Sequence, residues 1–249
     1  MKIATKYNFK NNELKNKVIL VTGANRGLGR AVSIDLARAG AEVILLGRDL
    51  AGIEEVYDEI TTLKLKEPIL YPLDLEGATP ENYQQMTKDI DKHFKKLDGI
   101  IHNAGILGAL MPIELHDIKL WYQTMQINVN APFMLTQALI PLLKKSADAR
   151  VLFLSSTVGR KGRAYWGAYG ISKFAIEGFM QTLADELEKT NIKVNSINPG
   201  AMRTKMRRIA YPAEDVTKLP TPEDISPAFV YLMSKKAKGI HANRLFLQD

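Results

Sequence analysis

Two tyrosines lie four residues apart in "AYWGAYGISK", residues 164–173, and a lysine closes the stretch. Tyr169 and Lys173 stand at i and i+4, so a helix would set both side chains on one face. Ser156 comes thirteen residues before Tyr169, where the apolar run "RVLFL" opens into "SST". The chemistry available to this set is proton transfer. A tyrosine hydroxyl ordinarily titrates near pH ~10 and is a poor base at neutral pH. A neighbouring ammonium favours the tyrosinate and lowers that value. Ser156 can then hold a substrate oxygen through a hydrogen bond while the chemistry proceeds at the adjoining carbon. Tyr165 lies eight residues before Lys173 and ahead of the helix, so Tyr169 is the candidate acid/base and Tyr165 is not.

Elements must bring these groups together. Short β-branched runs alternate with longer segments of helical spacing, the pattern of βαβ units. The strand candidates are "KVILVTG", "AEVILLG", "EPILYPLD", "GIIHNAG", "RVLFLSS" and "KVNSINPG", with a weaker seventh, "RLFLQ". Most are continuous apolar runs, as parallel strands covered on both faces require. Right-handed crossovers then give a single-domain, Rossmann-like, doubly wound parallel sheet of about seven strands, with helices on both faces. No repeat or linker divides the chain. A basic extension over residues 1–16 precedes one domain over 17–249. Ligands of such sheets bind beyond the carboxyl ends of the strands, where the glycines and polar turns of this chain concentrate.

The first strand runs into "TGANRGLGR", with Gly23, Gly27 and Gly29 spaced to let the backbone approach a pyrophosphate at a helix N-terminus. Asn25, Arg26 and Leu28 lie between them and are counted with the same turn. The second strand ends in Gly47 and Arg48 where an NAD site would carry a carboxylate for the ribose hydroxyls. That exchange suits a 2′-phosphate, hence NADP(H). Asp49 comes too late in the chain to serve as the ribose ligand. Asp74 and Leu75 end the third strand near an adenine site, with a helix cap as the other reading of Asp74. Asn103, Ala104 and Gly105 end the fourth.

Composition narrows the alternatives. The chain has 249 residues, 46% hydrophobic and 24% charged, as ordinary globular domains do. It has no cysteine, hence neither disulfide nor thiolate chemistry. The four histidines lack ligand spacing, so no metal is expected. No apolar run reaches the roughly 18–20 residues that cross a bilayer, and the N-terminus is polar and lysine-rich without an apolar signal core. A cytoplasmic protein with no membrane partner is expected. The net charge of +7 is spread along the chain, with concentrations at residues 2–17 and 203–208. No nucleic-acid motif accompanies it, so no nucleic-acid partner is expected. A solvated basic surface and one that attracts anionic metabolites both remain open.

Along nearly its whole length from residue 17, the chain resembles the classical short-chain dehydrogenase/reductase family. The likeness is carried by "TGANRGLG" (Thr22–Gly29), "NAG" (Asn103–Gly105), Asn128 in "INVNAPF", Ser156, "YGISK" (Tyr169–Lys173) and "PGAMRT" (Pro199–Thr204). More narrowly, "VGRKGRAYWGAYGISKFAIEGFM" and "NAPFMLTQALIPLL" are similar to the YciK-like oxidoreductases of Gram-negative bacteria. The resemblance implies a catalytic tetrad of Asn128, Ser156, Tyr169 and Lys173, with Asn128 positioning a water that relays protons to Lys173. It implies that Tyr169, Lys173, Pro199, Gly200 and Thr204 also contact the cofactor, Thr204 through the nicotinamide carboxamide. Arg26 would reach the 2′-phosphate opposite Arg48. The expected activity is NADP(H)-dependent hydride transfer on a carbonyl or alcohol, with a non-catalytic NADP(H) sensor as the alternative. A homodimer or homotetramer paired through the helices of "WYQTMQINVNAPFMLTQALIPLL" and "KFAIEGFMQTLADELE" is expected.

The substrate pocket is expected among Ile106–Leu110, Val158–Trp166 and Met202–Pro212, with Met202, Met206, Ile209, Leu107 and Trp166 as its apolar lining. The segment "MRTKMRR" reads either as a lid that favours anionic substrates or as a solvated loop. His102 stands where the family usually has a further asparagine and is expected to alter a loop contact. The extension reads as a flexible tail or an added short helix.

Overall fold

The seven apolar runs become seven strands of one parallel sheet in the computed structural model, which describes residues 1–248. In chain order the elements are β1 (Val18–Thr22), α1 (Gly27–Arg38), β2 (Glu42–Gly47), α2 (Leu50–Thr62), β3 (Ile69–Pro72) and α3 (Pro80–Phe94). Then follow β4 (Gly99–His102), α4 (Ile118–Met125), α5 (Ala131–Lys144), β5 (Ala149–Leu154), α6 (Gly167–Glu186) and β6 (Ile192–Asn198). Three short helices, α7 (Lys205–Ala210), α8 (Pro222–Ile225) and α9 (Pro227–Met233), lead to β7 (Asn243–Phe246). The strand order is β3-β2-β1-β4-β5-β6-β7. The winding therefore reverses between β1 and β4, and the crevice for a ligand opens above Thr22 and His102.

Alternate residues of each strand serve opposite layers, because successive side chains point to opposite faces. Ile19, Val21, Val43 and Leu45 pack with Val32 and Leu36 of α1 and Phe229 and Met233 of α9. Val18, Leu20, Ile44 and Phe153 pack with Met86 of α3, Leu135 and Leu139 of α5, and Ile176 and Met180 of α6. Each such side chain contributes about 1.5–3 kcal/mol on leaving water. The amino ends of the strands are closed by polar stitching. The Asp98 carboxylate accepts from the Val18 amide at 2.9 Å and the Ser146 hydroxyl at 2.6 Å. The buried Arg150 guanidinium donates to the Ala237 carbonyl at 2.7 Å and to Asp148.

Two expectations are corrected here. The N-terminal extension is neither a loose tail nor a helix. Lys2 bridges Phe246 in parallel along the outer edge of β7, with the Ile3 amide donating to the Phe246 carbonyl at 2.8 Å. Ile3 and Leu14 are buried, Tyr7 stacks edge-on against Tyr231, and Lys236 donates to the Tyr7 hydroxyl at 2.6 Å. Residues 1–3 lie along β7 because its outer edge offers backbone groups to a further segment, while residues 11–16 fold into turns.

His102, secondly, faces the core rather than a loop. It ends β4 inside the core, stacked on Phe153 at 4.7 Å, with its Nε2 2.8 Å from the Thr136 hydroxyl. Burial pushes its imidazole down from an ordinary 6.5 to about 3. Below pH 6.5 the unfolded chain takes up a proton that the native ring refuses. Stability from this site is thus complete above pH 6.5 and is lost as pH falls toward 3. His102→Asn should make the melting temperature less steeply dependent on pH between those limits. Parallel melting profiles for the two proteins would rule this account out.

Candidate active site

The turn after β1 is shaped by glycine. Gly23 and Gly27 have φ of 64° and 54°, the left-handed region that other residues enter at a cost. Gly29 is needed for closeness, since a Cβ there would lie 2.1 Å from the Gly23 carbonyl oxygen. Arg26 begins α1 without a side-chain cap, so no side chain covers the first-turn amides that can receive an anion. Asn103 holds this turn to the end of β4 by donating to the Thr22 and Gly23 carbonyls at 2.9 and 3.1 Å. The Ala104 amide donates to the Thr22 hydroxyl at 2.9 Å. Gly23, Asn103 and Ala104 thus form one rim, with Gly105 beside Asn128.

At the β2 tip, Gly47 is buried and Arg48 exposed, its Nη1 4.0 Å from a Glu76 oxygen. Asp49 caps α2, accepting from the Gly52 amide at 3.3 Å and from Asn25 at 3.4 Å. Asp74 does not cap a helix. It accepts from the Glu76 amide at 3.1 Å, closing a turn, while Thr79 caps α3. Leu75 is buried in the core, and its carbonyl accepts from Gln126.

The candidate reacting groups converge beyond β5. Tyr169 and Lys173 share the inner face of α6, and the Lys173 ammonium lies 5.5 Å from the Tyr169 ring centre. Lys173 donates to the Leu154 carbonyl at 2.8 Å, at the point where β5 delivers Ser155 and Ser156. Gly159 allows the Ser156 loop to lie on the helix, since a Cβ there would come within 2.8 Å of the Lys173 Cβ. Asn128 sits in a π-turn, residues 126–130, inserted between α4 and α5. Its amide donates to the Ile106 carbonyl at 2.9 Å and the Ser172 hydroxyl at 3.0 Å, and its oxygen accepts from the Ile106 amide at 2.9 Å. Such turns interrupt a helix at the cost of regular bonding and recur at functional sites.

Electrostatically the pair differs from the expected activated tyrosine. Burial pushes the Tyr169 phenol up to about 12, against a hydrogen bond from Ser156 that pulls it down. Burial likewise pushes Lys173 down to about 8, opposed by the Glu177 carboxylate. At neutral pH the site therefore holds a phenol and an ammonium. Tyr165 stands apart from this group: it is 62% exposed, with φ of 70°, one residue before the helix cap.

The pocket residues divide. Leu107, Val158 and Tyr169 cluster with Leu110, Trp166, Met206 and Ala210. Met202, by contrast, is part of the core beneath the sheet, and Ile209 is exposed. Of the basic residues in "MRTKMRR", Arg203 donates to the carbonyls of Val216, Thr217 and Leu219. Arg207 pairs through two nitrogens with Glu214 and lies 3.6 Å over the Tyr211 ring. Those two charges are spent on residues just past the segment, between Tyr211 and Leu219. Lys205 and Arg208 line a cavity of about 390 Å³ with Thr204 and Ile209. Thr204 caps α7, accepting from the Arg207 amide at 3.2 Å.

Sequence reasoning missed Gln248. Its amide donates to the Pro199 and Ala201 carbonyls at 2.7 and 2.9 Å, filling the space a Cβ on Gly200 would need. Gly200, at φ 81°, completes that turn. Only the glycine and the turn were visible locally, because the clamp arrives from 47 residues away.

Comparison with known proteins gives a consistent result. The family model described as short chain dehydrogenase matches residues 17–215. The chain is 48% identical to the uncharacterised oxidoreductase YciK of Escherichia coli K12, over 93% of this chain and 92% of that one. A short chain dehydrogenase structure from Pseudomonas syringae superposes with a TM-score of 0.95 at 50% identity, covering 98% and 99% of the two chains. One from Escherichia coli CFT073, complexed with NADPH, gives 0.94 at 46% identity, covering 96% and 100%.

Proposed function

This chain belongs to the short-chain dehydrogenase/reductase family, and on that footing we propose that it reduces a carbonyl compound, or oxidises the corresponding alcohol, with NADP(H). The observation that carries the proposal is the convergence of Ser156, Tyr169 and Lys173 above a glycine turn whose first-turn amides carry no side-chain cap. The residues fit the cofactor: glycines leave the approach open, and Arg48 carries a planar cation where NAD(H) would want a carboxylate. Gly23, Asn25, Arg26, Gly27, Leu28 and Gly29 would hold the pyrophosphate, and Arg48 with Arg26 the 2′-phosphate. Asp74 and Leu75 would border the adenine, and Asn103–Gly105 the ribose between. Pro199, Gly200 and Thr204 would meet the nicotinamide. When bound, NADPH would supply the hydride.

The chain's own groups would do the rest. Ser156 would orient the carbonyl oxygen, and the Tyr169 phenol would give it a proton. The Lys173 ammonium would steady the charge left on the phenol oxygen. Asn128, locked by three hydrogen bonds, would keep its π-turn fixed beside Lys173 while water restores the proton. The apolar cluster packed around Tyr169 favours a substrate with an apolar body against Leu107, Trp166 and Met206. Lys205 and Arg208 could receive an anionic end. A pocket-bearing sensor would share the fold but would not need the buried phenol–ammonium pair.

No helix among the described residues is long and apolar enough to cross a membrane. A cytoplasmic enzyme is proposed. Self-association through the outer faces of α5 and α6, where Phe133, Ile171 and Phe174 are exposed, completes the proposal. A panel of aldehydes, ketones, quinones and 3-oxoacyl thioesters, each followed by NADPH consumption, tests it. Turnover on at least one class is expected; NADPH binding without any turnover would favour the sensor.

A further inference from the structure

Glu177 is the third member of a row. Tyr169, Lys173 and Glu177 stand at i, i+4 and i+8 on α6, and all three are buried. A carboxylate is expensive to bury unless it is paired and hydrogen-bonded. This one is both: it accepts from the Arg160 Nε at 3.3 Å and from the Ser196 hydroxyl at 2.8 Å. Arg160 belongs to the segment that begins at Ser156. Its guanidinium lies 3.8 Å from the Phe246 ring centre and reaches the Leu245 carbonyl at 3.4 Å. This pair of a half-buried arginine and a buried glutamate thus joins the helix bearing Lys173, the loop bearing Ser156, and strands β6 and β7.

We infer that Glu177, held by Arg160 and Ser196, is a positioning residue: it sets a carboxylate one helical turn from Lys173 and fixes the Ser156 loop against α6. The inference rests on the proposed role of Lys173. The other charged residues on elements packed against α6 include Lys119 on α4, which is exposed, Arg150 on β5, which pairs with Asp148, Arg244 on β7, and Lys193 at the start of β6, which donates to the Thr190 carbonyl. His102 on β4 is neutral, and His116 lies at the helix start, beside Ala168. Glu177 is the carboxylate one helical turn from Lys173. Its charge opposes the burial that pulls the lysine down.

A merely structural pair and a tuning pair make different predictions. In Glu177→Gln the ammonium loses its anion and should titrate at a pH lower by about one unit, read by NMR of cofactor-free, 15N-lysine-labelled protein. The basic limb of kcat/KM should move the same way, kcat should fall severalfold, and NADPH should protect against thermal unfolding as it does in the parent. The double variant Arg160→Met, Glu177→Met replaces the pair by apolar groups of similar size, a change that buried pairs often tolerate. It should melt near the parent temperature yet keep the lowered lysine titration and the reduced kcat. An unchanged titration in Glu177→Gln, or parental titration and kcat in the double variant, would overturn the inference. If Glu177→Gln does not fold, the double variant decides alone; if neither folds, the pair serves stability and the inference falls. A parent protein that reduces no carbonyl would defeat the proposed function while leaving the lysine titration measurable.

Discussion

Tyr169→Phe should lower kcat by at least about 10²-fold, the lower end for a positioned proton donor, while Tyr165→Phe retains most activity. The two residues differ by four positions and by environment. Tyr169 is buried on α6 in reach of Ser156 and beside Lys173. Tyr165 projects outward from a left-handed backbone ahead of the helix. Removing the Tyr169 hydroxyl leaves its ring to pack against Trp166, whose centre lies 5.8 Å away, so folding and NADPH binding should survive. Protection from thermal unfolding by NADPH checks the binding, and turnover of any accepted carbonyl checks the chemistry. The opposite ranking of the two variants would overturn the assignment.

The second large effect concerns cofactor choice. Arg48→Ala should raise KM for NADPH and leave KM for NADH nearly unchanged. Charge-assisted hydrogen bonds contribute about 1.5–3 kcal/mol each, so a two-arginine contact from Arg48 and Arg26 predicts a preference of roughly 10²-fold or more. Arg48 is 60% exposed and only loosely placed against Glu76 at 4.0 Å. An exposed pair of that kind is worth about 0–1 kcal/mol, so a phosphate can displace it. Asp49, the carboxylate that follows Arg48, is already committed, because it caps α2. Gly47→Asp should shift preference toward NADH, at some cost in stability, since a Cβ at that position would meet the Ile53 side chain at 2.9 Å. Parent enzyme that uses NADH as well as NADPH would show the β2 tip to be misread.

Local sequence determined the sheet and the candidate residues' order around it. Apolar runs that serve both faces read as parallel strands because each must meet a helix layer above and below, and β1 through β6 lie where those runs lie. Helical spacing alone put Tyr169 and Lys173 on one face, since i and i+4 neighbour each other on any α-helix. Glycine spacing marked the turn after β1 for the same reason: backbone freedom is a property of the residue itself. Other features depended on contacts between distant segments. His102 looked like a loop substitution until β4 carried it against Phe153 and Thr136. Residues 1–3 had no periodicity to read, because their partner is the edge of β7 at the far end of the chain. Met202 and Met206 are four residues apart, yet one enters the core beneath the sheet and the other covers Tyr169. The pair Arg160 and Glu177 and the Gln248 clamp were likewise invisible, as charge and amide groups carry no pattern until folding supplies their partners. Periodicity encodes which face a side chain takes; which segment waits on that face is decided only when the chain closes on itself.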